Sequence, residues 1–126
     1  MFHRRRGTAI VETSKGILVA SGKRKIFLLP GGGAEKWESR RKAAIRELRE
    51  ETGLRAYESH FLFEFDGFYS ARGNFQDHHK VFLVKANGYP RPQHEIKYVK
   101  WYVPGSNIHL SGTTRKIIEG YYGSKQ

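Results

Sequence analysis

Residues 30–54 constrain this chain more than any other part of it. The apolar run Ile26-Phe27-Leu28-Leu29 stops at Pro30 and three consecutive glycines, Gly31, Gly32 and Gly33, where neither a strand nor a helix continues easily. It reads as a strand feeding a special loop. Residues 39–52 then contain no proline or glycine and are dominated by helix formers, with Ser39 placed as an N-cap and Gly53 as the residue that ends the helix. A loop and a helix with such definite ends predict a fixed element against which the rest of the chain packs.

The flanking sequence is mostly β. Residues 7–13 and 17–20, joined at Ser14-Lys15-Gly16, read as an opening hairpin on their β-branched content and turn chemistry. Residues 60–65, 80–84 and 97–103 read as further strands, separated by loops rich in Gly, Asn, Asp or Pro. The longest loop, 67–79, carries Phe68, Tyr69, Arg72, Phe75, His78 and His79, aromatic and cationic groups suited to a nucleobase and phosphates or simply to a connection. Near the end, Ile117, Ile118, Tyr121 and Tyr122 recur at helical spacing, which predicts a terminal helix over 113–122 packed on the sheet. With 126 residues at 38% hydrophobic, the apolar inventory suits one core, so the expectation is a single α/β (α+β) layered domain over 1–126.

Charge narrows the ligand. The 23 Lys and Arg against 12 Asp and Glu give +11, a field that concentrates anions and predicts an anionic ligand. The triplets Arg4-Arg5-Arg6, Lys23-Arg24-Lys25 and Arg40-Arg41-Lys42 suit nucleic-acid phosphates or a solvated basic face. With no cysteine, a disulfide-stapled scaffold, a zinc ribbon and cysteine nucleophile catalysis are excluded, and a reducing cytoplasm is the expected location. No stretch approaches the ~18 apolar residues of a membrane span, and the basic start lacks an apolar signal core.

Within this basic chain, five of the twelve acidic residues fall between positions 35 and 51. At about 100° per residue, Glu47, Glu50 and Glu51 share a sector of roughly 100°, while Ala44, Ile45, Leu48 and Thr52 centre roughly 120° away. One helix face packs and the adjacent one is acidic. Such a face is either solvated or compensated by a cation or an arginine, because clustered like charges repel. Carboxylates one turn apart are suited to a hard divalent cation shared with phosphate oxygens.

The full pattern Gly32-x5-Glu38-x7-Arg46-Glu47-Leu48-x-Glu50-Glu51-x-Gly53-Leu54 resembles the Nudix box, with every fixed position filled. Seven fixed residues coincide by chance about once in 10⁸ starting points at average residue usage. The resemblance implies a Nudix-type αβα sandwich with a mixed β-sheet, a loop–helix–loop and a C-terminal helix. It implies an Mg²⁺-dependent (or Mn²⁺-dependent) pyrophosphohydrolase, MutT-like, that cleaves a P–O–P bond in a nucleoside diphosphate linked to a further group. It also implies Glu47, Glu50 and Glu51 as metal ligands together with the backbone of Gly31, Arg46 as the residue that orients the glutamates, and Glu38 as a tie between loop and helix. For the general base, Glu47 and Glu95 both stand. Glu95 lies six residues before Trp101, a spacing similar to that of an additional glutamate in some members, and it is otherwise a surface residue of a polar loop. Trp37 departs from the family, which commonly has glycine before the box glutamate.

For substrate contact the candidates are Lys23, Arg24, Trp37, Phe68 and Arg72. Nucleoside tri- or polyphosphates rank first, ahead of diphosphoinositol or dinucleoside polyphosphates and of RNA 5′ ends, whose pyrophosphohydrolase would use the basic triplets as a track. The reading of another class is a non-catalytic nucleotide- or RNA-binding module, whose sign would be a lost box glutamate; none is lost. A monomer is expected, and no membrane partner. Six histidines invite a metal reading, but only His78-His79 are adjacent, without the helical spacing of a His-based zinc pair. No Ser-His-Asp arrangement or P-loop signature is visible.

Overall fold

The structure, a computed structural model, describes residues 1–125. Its elements in order are β1 (Phe2–Ile10), β2 (Glu12–Thr13), β3 (Gly16–Ser21), β4 (Gly31–Gly33), α1 (Arg40–Thr52), β5 (Arg55–Asp66), β6 (Phe75–Asn87), β7 (Tyr98–Tyr102) and α2 (Gly112–Ser124). One sheet runs β4-β1-β6-β5 and the other β2-β3-β7. It is a mixed arrangement, since β1 pairs with β6 in parallel and with β4 antiparallel.

Period-two alternation sends successive side chains of the central strands to opposite faces, so two cores form. Ala9, Val11, Leu18, Phe82 and Val84 face α1, where they cluster with Ala44, Leu48 and Leu54. Ile10, Ile17, Val19 and Val81 face the other way and cluster with Ile117, Ile118 and Tyr121 of α2. A helix on each side of the sheets gives the expected αβα sandwich. Contact between α1 and β1 is unusually close: a Cβ on Gly7 would lie 1.9 Å from the Arg40 carbonyl oxygen and 2.6 Å from the Ala44 nitrogen. Glycine is required there because the helix backbone takes the side chain's place.

The sequence reading needs correction at five places. The opening hairpin is shorter than residues 7–13 with 17–20, because residues 2–10 pair with β4 and β6 while Glu12–Thr13 pair with Gly16 and Ile17. The run Ile26-Phe27-Leu28-Leu29 is not a strand of a sheet, since only the isolated bridges Ala20–Leu28 and Phe27–Leu110 form. The three glycines, read as loop, instead make β4, paired Thr8 with Gly31, Gly7 with Gly32 and Arg6 with Gly33. A partner strand supplies the ladder that glycine propensity alone would not. The long loop shrinks to 67–74, because β1 begins at Phe2 and its parallel pairing with β6 runs from Phe2–Phe75 to Ile10–Leu83, taking in His78 and His79. Finally, Ala43 rather than Ile45 joins the buried face of α1, as the close approach at Gly7 favours the smallest side chains.

Candidate active site

The helix ends are fixed as expected. Ser39 Oγ accepts from the Lys42 amide at 3.1 Å, and Gly53, at φ 78°, donates its amide to the Arg49 carbonyl at 2.8 Å. Between these ends Arg46 is the hub. Its Nε and Nη2 donate to the two carboxylate oxygens of Glu38 at 2.8 and 3.0 Å, Nη1 donates to Glu47 at 2.8 Å and more loosely to Glu50 at 3.3 and 3.4 Å, and Nη2 also reaches the Gly33 carbonyl at 3.1 Å. Arginine's planar fork matches such geometry. The Arg46 bonds, helped by the Glu35 amide, hold the Glu38 carboxyl down at about 2.

Glu47 lies over the glycines of β4. A Cβ on Gly32 would come within 2.5 Å of the Glu47 carboxyl carbon, so any larger residue displaces this carboxylate. Gly31 donates its amide to Glu51 Oε1 at 3.1 Å. Burial pushes Glu51 up to about 7 against that hydrogen bond, and the neighbouring Glu47 and Glu95 charges raise it further. Burial also raises Glu47, although Arg46 opposes it. Glu47, Glu50 and Glu51 line an open cavity of about 150 Å³ together with His94 and Glu95. The loop bearing the last two is tied to the helix end, where the Arg91 and Gln93 amides donate to the Thr52 and Glu51 carbonyls at 2.9 and 3.1 Å. Glu95 therefore joins the helix glutamates. His94 was missed; its adjacency to Glu95 was the available signal.

Among the described residues, no three His, Cys, Asp or Glu side chains are arranged closely enough to hold a metal ion. Arg46 is the reason for two of them, since it holds Glu47 and Glu50, while Glu51 is turned to the Gly31 amide. The donor set nonetheless fits a hard divalent cation, since the cavity gathers the carboxylates of Glu47, Glu50, Glu51 and Glu95.

On the α2 side of β1 lies a second cavity of about 310 Å³, lined by Arg4, Arg6, Thr8, Asp77, His79 and Gly31 among others. Gly31 lines this cavity alone, and its amide bonds Glu51 of the glutamate cavity. Asp77 accepts from Arg4 at 2.6 and 3.1 Å, and Arg4 and Arg6 outweigh burial to lower its pKa. His79, only 8% exposed, shares a 2.8 Å hydrogen bond between its Nδ1 and Thr8 Oγ1; burial, then Arg6, lowers it to about 4. Sequence reading treated Arg4-Arg5-Arg6 as a charged run, but in a strand it divides: Arg4 and Arg6 enter this cavity while Arg5 donates to the Glu38 carbonyl at 2.9 Å. His78 faces away from His79 and is bonded to Asp66 and His3. A larger cavity of about 480 Å³, near Leu54 and Trp101, contains none of the glutamates.

Other predicted contacts separate. Lys23 and Arg24 lie on the exposed turn after β3; the Lys97 amide donates to Ser21 at 2.8 Å, which puts this turn beside the Glu95 loop. Phe68 is exposed, with the Lys116 amine 5.8 Å from its ring centre, and Arg72 is exposed on the 67–74 loop. Neither lines the glutamate cavity.

The two buried titrating groups act with opposite sign on stability. Glu51, raised from 4.5 to about 7, favours folding below pH 4.5, and that contribution is lost as pH rises towards 7. His79, lowered from 6.5 to about 4, favours folding above pH 6.5, and that contribution is lost as pH falls towards 4. Each amounts to about 2–3 kcal/mol, so urea midpoints of chelator-treated protein should change little between pH 4.5 and 6.5. Glu51→Gln removes one side of the balance and should expose an acid loss of about 2 kcal/mol over that interval. A profile as flat as the unmutated protein's would contradict the assignment.

Comparison with known proteins agrees with the architecture. Residues 1–117 match the family model for the NUDIX domain. The structure of a Nudix hydrolase family member from Chromobacterium violaceum is 38% identical over 95% of this chain and 77% of its own, with a TM-score of 0.81. The MutT protein of Methanosarcina mazei shares the fold at 17% identity, over 99% of this chain and 96% of its own, with a TM-score of 0.83. A bifunctional NMN adenylyltransferase/ADP ribose pyrophosphatase from Francisella tularensis, solved with AMP and a manganese ion, aligns at 24% identity over 97% of this chain and 42% of its own, TM-score 0.69. A comparison with curated proteins gave no match. The chain belongs to the Nudix family. Within it, the chain is a Nudix hydrolase, acting on pyrophosphate bonds.

Proposed function

We propose that this single domain hydrolyses the P–O–P bridge of a nucleoside tri- or polyphosphate with the help of Mg²⁺ or Mn²⁺. The observation that carries this reading is the gathering of Glu47, Glu50, Glu51 and Glu95 around one small cavity, with Glu51 bonded to the Gly31 amide of a neighbouring basic, polar one. Glu47, Glu50, Glu51 and the Gly31 backbone would hold the cation, which supplies charge neutralisation at the phosphate oxygens when bound. Arg46 and Glu38 keep Glu47 and Glu50 in place. Glu47 or Glu95 accepts a proton from the attacking water; the water oxygen bonds to phosphorus as the bridging P–O bond breaks and its electrons leave with the departing phosphate. Arg4, Arg6, Lys23 and Arg24 suit the phosphate chain. The absence of cysteine supports action in a reducing cytoplasm, and among the described residues no helix is long and apolar enough to cross a membrane.

The test is phosphate release with Mg²⁺ over nucleoside triphosphates, dinucleoside polyphosphates, nucleotide sugars, diphosphoinositol phosphates and triphosphorylated RNA, with Glu50→Gln as blank. Mutant-sensitive cleavage of a nucleoside polyphosphate is expected, and none across the panel by folded protein would defeat the proposal. Preference for RNA with a steep loss on added salt would move the substrate to RNA 5′ ends.

A further inference from the structure

Trp37 stands out for holding a conformation that its side chain opposes. It occupies the third position of a turn closed by the Glu38 amide donating to the Glu35 carbonyl at 2.9 Å, with φ at 70°. Glycine is favoured there, whereas a bulky residue is strained. The turn has no freedom to relax: Glu38 accepts from the Glu35 amide at 2.9 Å through its side chain and from Arg5 at 2.9 Å through its carbonyl, and its carboxylate is forked by Arg46. The indole gains no burial in return, being 92% exposed. The Lys36 amine lies 5.5 Å from its ring centre.

We infer that Trp37 and Lys36 form an outer platform on which a planar ring of an anionic ligand stacks, the nucleobase of a nucleoside polyphosphate. The platform stands on the loop that leads into the glutamate-bearing helix, one residue before Glu38, whose carboxylate grips the arginine that also holds Glu47 and Glu50. An exposed indole offers its face to any base, and a neighbouring ammonium suits a ring that carries phosphates. Strain held at an exposed aromatic beside a reaction site is explained by a ligand rather than by folding.

This inference rests on the hydrolase reading for its choice of ligand, but binding tests it separately. In Glu50→Gln protein with Mg²⁺, ATP should quench tryptophan fluorescence and tripolyphosphate should not; in Glu50→Gln/Trp37→Gly, which keeps Trp101, the ATP quench should vanish. The preference for ATP over tripolyphosphate, as a ratio of Kd values, should fall about tenfold, the scale of one base–aromatic stack. Trp37→Gly alone should melt about 4 °C higher as the strain is released. An undiminished quench and preference in the double mutant would overturn the platform, as would a lower melting temperature of Trp37→Gly, which would mean the indole stabilises the fold. Quenching by ATP without hydrolysis of any nucleotide would sink the hydrolase reading and leave the platform standing.

Discussion

Glu50→Gln leaves the protein folded and lowers turnover about 10³-fold or more. The two halves of this expectation come from different properties of one side chain. Glu50 is 41% exposed, and its contacts with Arg46 are the longest that the guanidinium makes to a box glutamate, 3.3 and 3.4 Å. An ion pair that loose and wet contributes less than about 1 kcal/mol to folding, so the melting temperature should hardly move. The same exposure leaves Glu50 the most accessible of the three glutamates on this helix face to a cation. Replacing a charged oxygen by an amide at nearly constant shape removes charge where phosphate negative charge must be neutralised. Such losses are several kcal/mol in the barrier, hence the expected three decades in kcat. The check is kcat on the preferred substrate, with circular dichroism and melting as controls. Near-normal turnover in a folded mutant would show that Glu50 is a solvated surface residue. Glu51→Gln makes a useful contrast, since it also removes a buried group that titrates near neutrality, and should alter stability as well as rate.

Much of this was legible in the sequence where local rules were sufficient. Ser39 and Gly53 fix the helix because capping is chemistry between near neighbours, and the spacing of Glu47, Glu50 and Glu51 settles their common face by helical geometry. What escaped depends on partners distant in sequence. The glycines 31–33 become a strand only because β1 lies beside them, and Arg6 enters a cavity only because residues 2–10 pair with 75–83. Glu95 was nominated by spacing, yet the bonds of its loop to the end of α1 lie in the fold, through backbone amides of Arg91 and Gln93 that no side-chain pattern reveals. Gly7 is a similar case: its need for a missing Cβ is set by the Arg40 carbonyl, 33 positions further along the chain.

Arg46→Ala should cost about 2–4 kcal/mol of stability and about 10²-fold in turnover. The guanidinium is more than a partner for one acid. It closes a fork on Glu38, donates to Glu47 and reaches the Gly33 carbonyl, so its removal strands two largely buried carboxylates at once. Charge-assisted bonds of this kind contribute about 1.5–3 kcal/mol, and an unpaired partner left behind costs more than the bond returned. The rate falls because Glu47, no longer held, is free to swing off Gly32. Lysine should restore little, since one ammonium cannot fork Glu38 and reach Glu47 together. An acid-stability profile distinguishes loss of this hub from a general weakening. Glu38, held at about 2 chiefly by Arg46, stabilises the fold above its ordinary 4.5, and that contribution is lost as pH falls through about 2. In Arg46→Ala the Glu38 carboxyl returns towards its ordinary value, so the stability lost between pH 4.5 and 2 should shrink along with the total. An unchanged acid slope together with unchanged kinetics would mean that the fork does not persist in solution, and that Glu47 and Glu50 are positioned by the helix alone.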